Sequence, residues 1–290
     1  MANDCGRWDL LDVVRMVYAL RPEGIQWPTK EDGSPSFKLE DLARANGLAH
    51  DQAHDALSDV RATIALARLI RDRQPKLFEF AFGLRKKDKV LHEMGLPAEQ
   101  IDARPFLHVS GMIPPQRGCI AVMWPLAQHP TNKNEMICWD LQADPSELAS
   151  LDAETLRLRM FTKTADLPEG ITRLPIKGIH INKSPMVVRN LKTLTPEMAA
   201  RWGIDMQACI DNAVKARALP DMSVLWKQVY SRLEGHGPQD VDQDLYNGFV
   251  NPADRRRLTQ LRALNPQELA VDKTGFDDAR LAELVFRWRA

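Results

Sequence analysis

His54 and Asp59, five residues apart in the segment His54-Asp-Ala-Leu-Ser-Asp59, are the pair in this sequence best suited to chemistry. A histidine can take a proton from water, and a carboxylate offers a hard oxygen to Mg²⁺ or Mn²⁺. On a helix, residues five apart point about 140° away from each other, so the two groups do not stack. They flank one cleft only if His54 sits in the first turn or in the loop before it. The simpler reading is that a His and an Asp at a helix start cap the helix and complement its dipole. Asp59 adjoins Val60 on the side expected to turn toward the core, where an unpaired carboxylate is costly.

Other residues have the types needed to hold a polyanion. Arg85, Lys86, Lys87 and Lys89 form a basic run, and Trp124, Trp139 and Phe106 offer faces on which bases stack. Lys163, Lys177 and Lys183 lie beside predicted strands as further phosphate contacts. Against this, aromatics in short strands are usually core, and lysines beside them serve solubility. His108, His129 and His180 fall in separate segments, and no spacing joins them to a carboxylate or thiol as a zinc site requires. Cys5, Cys119, Cys138 and Cys209 contain no Cys-x-x-Cys pair, which excludes zinc clusters, redox pairs and secreted disulfide frameworks and suits a reducing cytoplasm.

The elements that must position these groups follow from periodicity. Helices are predicted over about 12–20, 37–45 and 54–72, the last with Leu57, Val60, Ile64 and Ala67 on the face meant for the core and Pro75 as its stop. From about residue 105 short apolar runs alternate with turn residues, at 106–112, 119–127, 134–141, 173–182 and 186–189, interrupted by a helix over about 151–161. Short runs with Pro/Gly-rich connections predict a small antiparallel barrel rather than a parallel sheet. Helical spacing resumes at 196, through 205–218 and 222–233, and again near the end over about 276–288.

Composition narrows the class. The chain has 290 residues, with 39 Lys+Arg against 39 Asp+Glu and 44% hydrophobic residues, so it is globular and any polyanion site must be local. Between Arg61 and Lys89 nine basic residues stand against three acidic ones. No basic-then-apolar leader opens the chain, and no run approaches eighteen apolar residues, so export and membrane insertion are not expected. Trp8, Leu10, Leu11, Val13, Val14, Met16, Val17 and Leu20 crowd the start, a density that predicts packing on something larger and an aggregation-prone chain if that partner is missing.

Leu39-x-x-Leu42, Gly47 and His54-x-Ala56-x-x-Asp59 resemble the third motif of the DEDDh 3′→5′ exonucleases, a branch of the ribonuclease H-like fold. Further segments are similar to the bacterial exodeoxyribonuclease I family: Arg7-Trp-Asp-Leu-Leu-Asp12, Tyr18-Ala-Leu-Arg-Pro-Glu-Gly24, Thr63-Ile-Ala65, Arg73-Gln-Pro75, His108-Val-Ser-Gly-Met112, His180-Ile-Asn-Lys183 and Leu245-Tyr-Asn-Gly-Phe249. The ordered series spans nearly the whole sequence.

The resemblance implies an α+β chain in three parts. These are the C-terminal part of a ribonuclease H-like exonuclease domain over 1–74, an SH3-like β-barrel domain with helical insertions over 75–235, and the beginning of a helical domain over 236–290. It implies release of 5′-mononucleotides from the 3′ end of single-stranded DNA by two Mg²⁺ ions, with Mn²⁺ an alternative. His54 maps to the general base and Asp59 to a metal ligand. It implies, too, docking of the acidic C-terminal tail of single-stranded-DNA-binding protein on a basic patch that the residues do not identify, and a monomer when complete. The Asp-x-Glu motif and the second Asp motif are missing upstream of Trp8. The chain is therefore expected to be a fragment, inactive or nearly so alone. A noncatalytic DNA-binding or protein-docking remnant in repair, or an RNA substrate, are the alternatives.

Overall fold

A computed structural model describes residues 6, 8–48, 56–96, 103–231, 240–242, 244, 248–265 and 275–289. The chain divides into two compact units, Met1–Ser231 and Arg232–Ala290.

The first unit begins with α1 (Leu10–Leu20), capped by the Asp9 carboxylate, which accepts the Leu11 N–H. Its apolar density comes from burial on several sides: Val13, Val14, Met16, Val17, Ala19 and Leu20 are all sealed. The Trp8 indole reaches the Ala81 carbonyl at 3.0 Å, and Trp202 donates to the Ala19 carbonyl at 2.9 Å from the other side. The expected surplus of apolar surface on this segment is thus consumed within the chain.

Next come α2 (Leu39–Ala45) and the 18-residue α3 (Ala56–Arg73). The inward face of α3 differs from the one periodicity predicts. Ala62, Leu66 and Ile70 are buried, whereas Leu57, Val60 and Ile64 are 56%, 54% and 46% exposed. Apolar residues fall on both sides of this helix, so spacing alone does not rank the two stripes. Pro75 does not merely stop α3; it occupies the first turn of α4 (Pro75–Gly83), where its missing N–H costs nothing. Then α5 (Lys87–Glu93) carries the end of the basic stretch.

The sheet has five antiparallel strands, β1 (Phe106–Val109), β2 (Ile120–Gln128), β3 (Glu135–Asp140), β4 (Ile176–His180) and β5 (Met186–Val188), in the order β4-β3-β2-β1-β5. Pro125 is accommodated because the β2–β3 register shifts between Pro125 and Ala127. Between β3 and β4 lies α6 (Ala153–Phe161), capped by Asp152, and after β5 come α7 (Pro196–Arg201), α8 (Met206–Arg217) and α9 (Ser223–Tyr230). Antiparallel pairing, with helices inserted between strands and placed at both ends, is the α+β architecture the sequence predicts. One contiguous core joins α1, α4 and α5 to the sheet through Phe106, Met123 and Trp139.

In the second unit α10 (Pro252–Leu261) and α11 (Ala279–Arg289) are held by Asp254. Its fully buried carboxylate accepts the Asp277 and Asp278 N–H groups at 3.2 and 3.0 Å and pairs with Arg257 at 2.9 Å.

Gly118 closes the turn before β2 at φ +63°, and a Cβ there would lie 2.4 Å from the Trp202 ring. Gly203 has φ +62° with open space around it. Gly118→Ala is expected to cost about 3 kcal/mol and Gly203→Ala about 1 kcal/mol in urea unfolding. Equal losses would show that the ring contact adds nothing to the backbone strain.

Candidate functional site

Asp59 sits in the first turn of α3, half-buried, and its backbone carbonyl accepts the Thr63 hydroxyl at 2.7 Å. Beside it the Leu57–Val60–Ile64 stripe faces outward, so Asp59 adjoins an uncovered apolar surface rather than the core expected from sequence. His54 lies outside the described residues. Among the described residues no group of three or more His, Cys, Asp or Glu side chains is placed to hold a metal ion.

The predicted polyanion contacts separate into several environments. Trp139 and Phe106 are fully buried and Trp124 nearly so, which corrects their reading as stacking faces. The Trp139 indole donates to the Ala143 carbonyl at 2.8 Å, and these rings are core of the sheet. Arg85 lies over the Phe82 ring at 4.0 Å, Lys86 is exposed, and Lys87 donates to Asn134 of the β2–β3 turn at 2.8 Å. Lys163 and Lys183 are exposed on the loops before β4 and after it. Lys177, within β4, is half-buried, and desolvation lowers its pKa against the opposing attraction of Asp12.

The three histidines do three different jobs. Nδ1 of His129 accepts the Thr131 and Asn132 N–H groups, and His180 lies 3.7 Å from Glu135. His108 is buried in β1, with Nδ1 donating to the Met186 carbonyl at 3.1 Å across to β5. Burial, then the charge of Lys177, pushes its pKa down to about 3. Burial also pushes the Cys119 thiol up to about 11 and the Cys209 thiol up to about 12, so both stay protonated and inert at neutral pH.

Sequence reading missed a cleft of about 820 Å³. Its floor and walls include Leu77 and Phe80 of α4 and Val188 of β5, while Arg21, Lys76 and Arg189 supply cationic groups. Arg21 follows α1 and donates to the Thr193 carbonyl at 2.9 Å. Arg189 reaches the His92 carbonyl at 3.5 Å. Both guanidinium groups are thus tethered to backbone, which lowers the entropy cost of using them on an anion. An apolar floor beside fixed arginines suits an apolar residue with a carboxylate. Nothing in the linear sequence signals this, because Arg21 and Arg189 come from opposite ends of the first unit.

Comparison with known proteins gives a consistent picture. The model of the exonuclease I SH3-like domain matches residues 85–232, and that of the exonuclease I C-terminal domain matches 239–290. Exodeoxyribonuclease I of Escherichia coli is 44% identical over 289 residues, 99% of this chain and 60% of that protein. The Haemophilus influenzae protein of that name is 43% identical over 290 residues, again 99% and 60%. The chain therefore spans about 60% of the length of these curated relatives.

Solved structures agree. Escherichia coli exonuclease I in complex with a dA16 oligonucleotide superposes with a TM-score of 0.79 at 42% identity, covering 100% of this chain and 61% of that one. A zinc-bound form of the Escherichia coli exonuclease I–single-stranded-DNA complex gives 0.77 at 42%, covering 100% and 60%. A complex of exonuclease I with SSB-Ct gives 0.78 at 42%, covering 100% and 59%.

The His108 environment sets a pH dependence. Below its ordinary value of 6.5 the unfolded chain takes up a proton that the folded chain refuses down to about 3, so stability falls with pH across that window. Relative to His108→Gln, the chain is expected to lose about 2 kcal/mol in urea unfolding between pH 7.5 and pH 5. Parallel profiles for the two proteins would mean that His108 is protonated equally in both states.

Proposed function

Because the chain belongs to the exonuclease I family, we propose that it is part of a 3′→5′ exonuclease that acts on single-stranded DNA in the cytoplasm and releases 5′-mononucleotides. The observation that carries this reading is the superposition of the whole chain on a DNA-bound exonuclease I at 42% identity.

In this proposal His54 is the general base and Asp59 one ligand of a two-metal site that takes Mg²⁺, with Mn²⁺ as substitute. One carboxylate does not neutralise two divalent ions, and among the described residues no group of three or more His, Cys, Asp or Glu side chains gathers to hold a metal. The described residues therefore do not by themselves make a complete metal site. Other carboxylates must be supplied against the α3 face that carries Asp59, where Leu57, Val60 and Ile64 offer the apolar surface to seat them. By itself the chain is noncatalytic.

DNA contacts are assigned to exposed or half-buried cations. Arg85, Lys86 and Lys87 form one group where α4 turns into α5, with Lys163 and Lys183 on the loops flanking β4. Lys89, in the same basic run, pairs with Glu93 at 2.9 Å. Each assigned lysine contributes through counterion release rather than base reading.

The partner we assign is the acidic C-terminal tail of single-stranded-DNA-binding protein, which is how we read SSB-Ct. The cleft between Arg21 and Arg189 is its receptor, with the terminal carboxylate on the arginines and the last apolar side chain over Leu77 and Phe80. On this reading the sequence presents docking and DNA contacts without cleavage. A docking remnant in repair is the second reading, and it predicts the same binding with no gain of activity when the missing carboxylates are restored.

Two outcomes are expected. Incubated with Mg²⁺ and a labelled single-stranded oligonucleotide, the purified chain should release no mononucleotide; release that Asp59→Ala abolishes would refute the proposal that it is noncatalytic alone. Arg21→Ala should weaken binding of an acidic, carboxylate-terminated peptide at least about tenfold, the scale of a lost charge-assisted contact. Unchanged affinity would remove the cleft as the receptor.

A further inference from the structure

Glu93 is a carboxylate in an unexpected place. It lines the cationic cleft, yet it is only 6% exposed and carries the charge that an acidic ligand should repel. Both of its oxygens are committed. Oε1 pairs with the Lys89 ammonium one turn earlier on α5, at 2.9 Å. Oε2 accepts the backbone N–H of Arg189 at 2.9 Å. Lys89 in turn lies 5.1 Å from the centroid of the Phe80 ring, which is part of the cleft floor.

These contacts join floor to rim. Arg189 directly follows β5, past the last residue paired with β1, and its N–H donates to Glu93. The neighbouring His92 carbonyl accepts from the Arg189 side chain at 3.5 Å. The end of α5 therefore grips Arg189 by backbone and guanidinium together.

We propose that Glu93 is a positioning residue of the cleft, holding Arg189 at the rim so that its guanidinium meets the carboxylate of the docked tail. The proposal rests on the reading of the cleft as the tail receptor. Glu93 does not touch the ligand, and its charge is neutralised by Lys89. What it provides is a fixed backbone at Arg189, so that no ordering of that residue is left to be done on binding.

Two substitutions separate position from charge. Glu93→Asp keeps the negative charge but draws the carboxylate back by one carbon–carbon bond, out of reach of the Arg189 N–H. Glu93→Gln keeps an oxygen at the right distance and removes the charge. The probe is a fluorescein-labelled, aspartate-rich peptide ending in phenylalanine with a free carboxylate, titrated by anisotropy against the full chain and against Arg189→Ala. Glu93→Asp is expected to weaken binding about fivefold to tenfold, the cost of leaving one charged side chain unordered before binding. Glu93→Gln is expected to bind as tightly as the parent or more tightly. In the Arg189→Ala background Glu93→Asp should change nothing further.

Parent-like affinity for Glu93→Asp would overturn the proposal. So would a full additional loss in the Arg189→Ala background, since Glu93 would then act through the fold at large. If Arg21→Ala and Arg189→Ala both leave the peptide affinity unchanged, it is the receptor reading that fails.

Discussion

The burial of α1 is the constraint on which the first unit depends. An eleven-residue helix with seven buried residues cannot be solvated on its own, and it is covered by two structures at once. On one side the Trp8 ring meets Phe78 and Phe82 edge-on at 5.3 and 5.5 Å. On the other, Tyr18 contacts Trp27, Phe37 and Trp202 at 5.0–5.3 Å, and the Trp202 indole closes on the Ala19 carbonyl. Edge-to-face pairs of this kind add orientation to simple area burial. They tie the helices before the sheet to the helices after it. Arg21 leaves the end of α1 at a fixed place, already turned to the Thr193 carbonyl, so the same packing that hides α1 delivers one cation of the cleft.

How much of this could be read from the residues varied with the physics involved. Local signals worked where one interaction dominates. The helices expected over about 151–161, from 196 and over 205–218 formed, each started by a side chain (Asp152, Thr195, Asp205) on the N–H three residues on, and strand runs split by turn residues became β1 to β5. Periodicity was ambiguous on α3, because Leu57–Val60–Ile64 and Ala62–Leu66–Ile70 are both apolar rows and only tertiary neighbours decide which is inside. Pro75 showed the limit of breaker rules, since a residue that ends one helix suits the first turn of the next. Aromatic residues misled in the opposite way: Trp124 and Trp139 oppose each other across β2 and β3 and fill the core, leaving no ring face for a base.

The candidate site divides along the same line. The His54–Asp59 spacing is a local pattern and was legible as a candidate, of which the described residues include Asp59 and not His54. The cleft was not legible, because it joins Arg21, Phe80, Glu93 and Arg189 through three helices and a strand. A net charge of zero hides it further. What gives the cleft its character is not the number of cations but the commitment of its two arginines, Arg21 to Thr193 and Arg189 to His92. Loose lysines spend side-chain entropy on every contact, whereas a tethered guanidinium has already spent it in folding.

Recognition and hydrolysis therefore place different demands on this stretch of polypeptide. A receptor for a carboxylate and an apolar side chain needs one preorganised rim and one apolar floor, and here the floor residues Leu77 and Phe80 pack against a single contiguous core. Two-metal hydrolysis needs several carboxylates converging on one point, and such convergence is expensive unless the ions are bound, because like charges in one site repel. In the proposed site Asp59 supplies one of these carboxylates. The stripe Leu57–Val60–Ile64 beside it is exposed apolar surface, which favours being covered. Whatever packs on that stripe of α3 lands next to Asp59, so in the proposed site covering the stripe and completing the carboxylate set are one event.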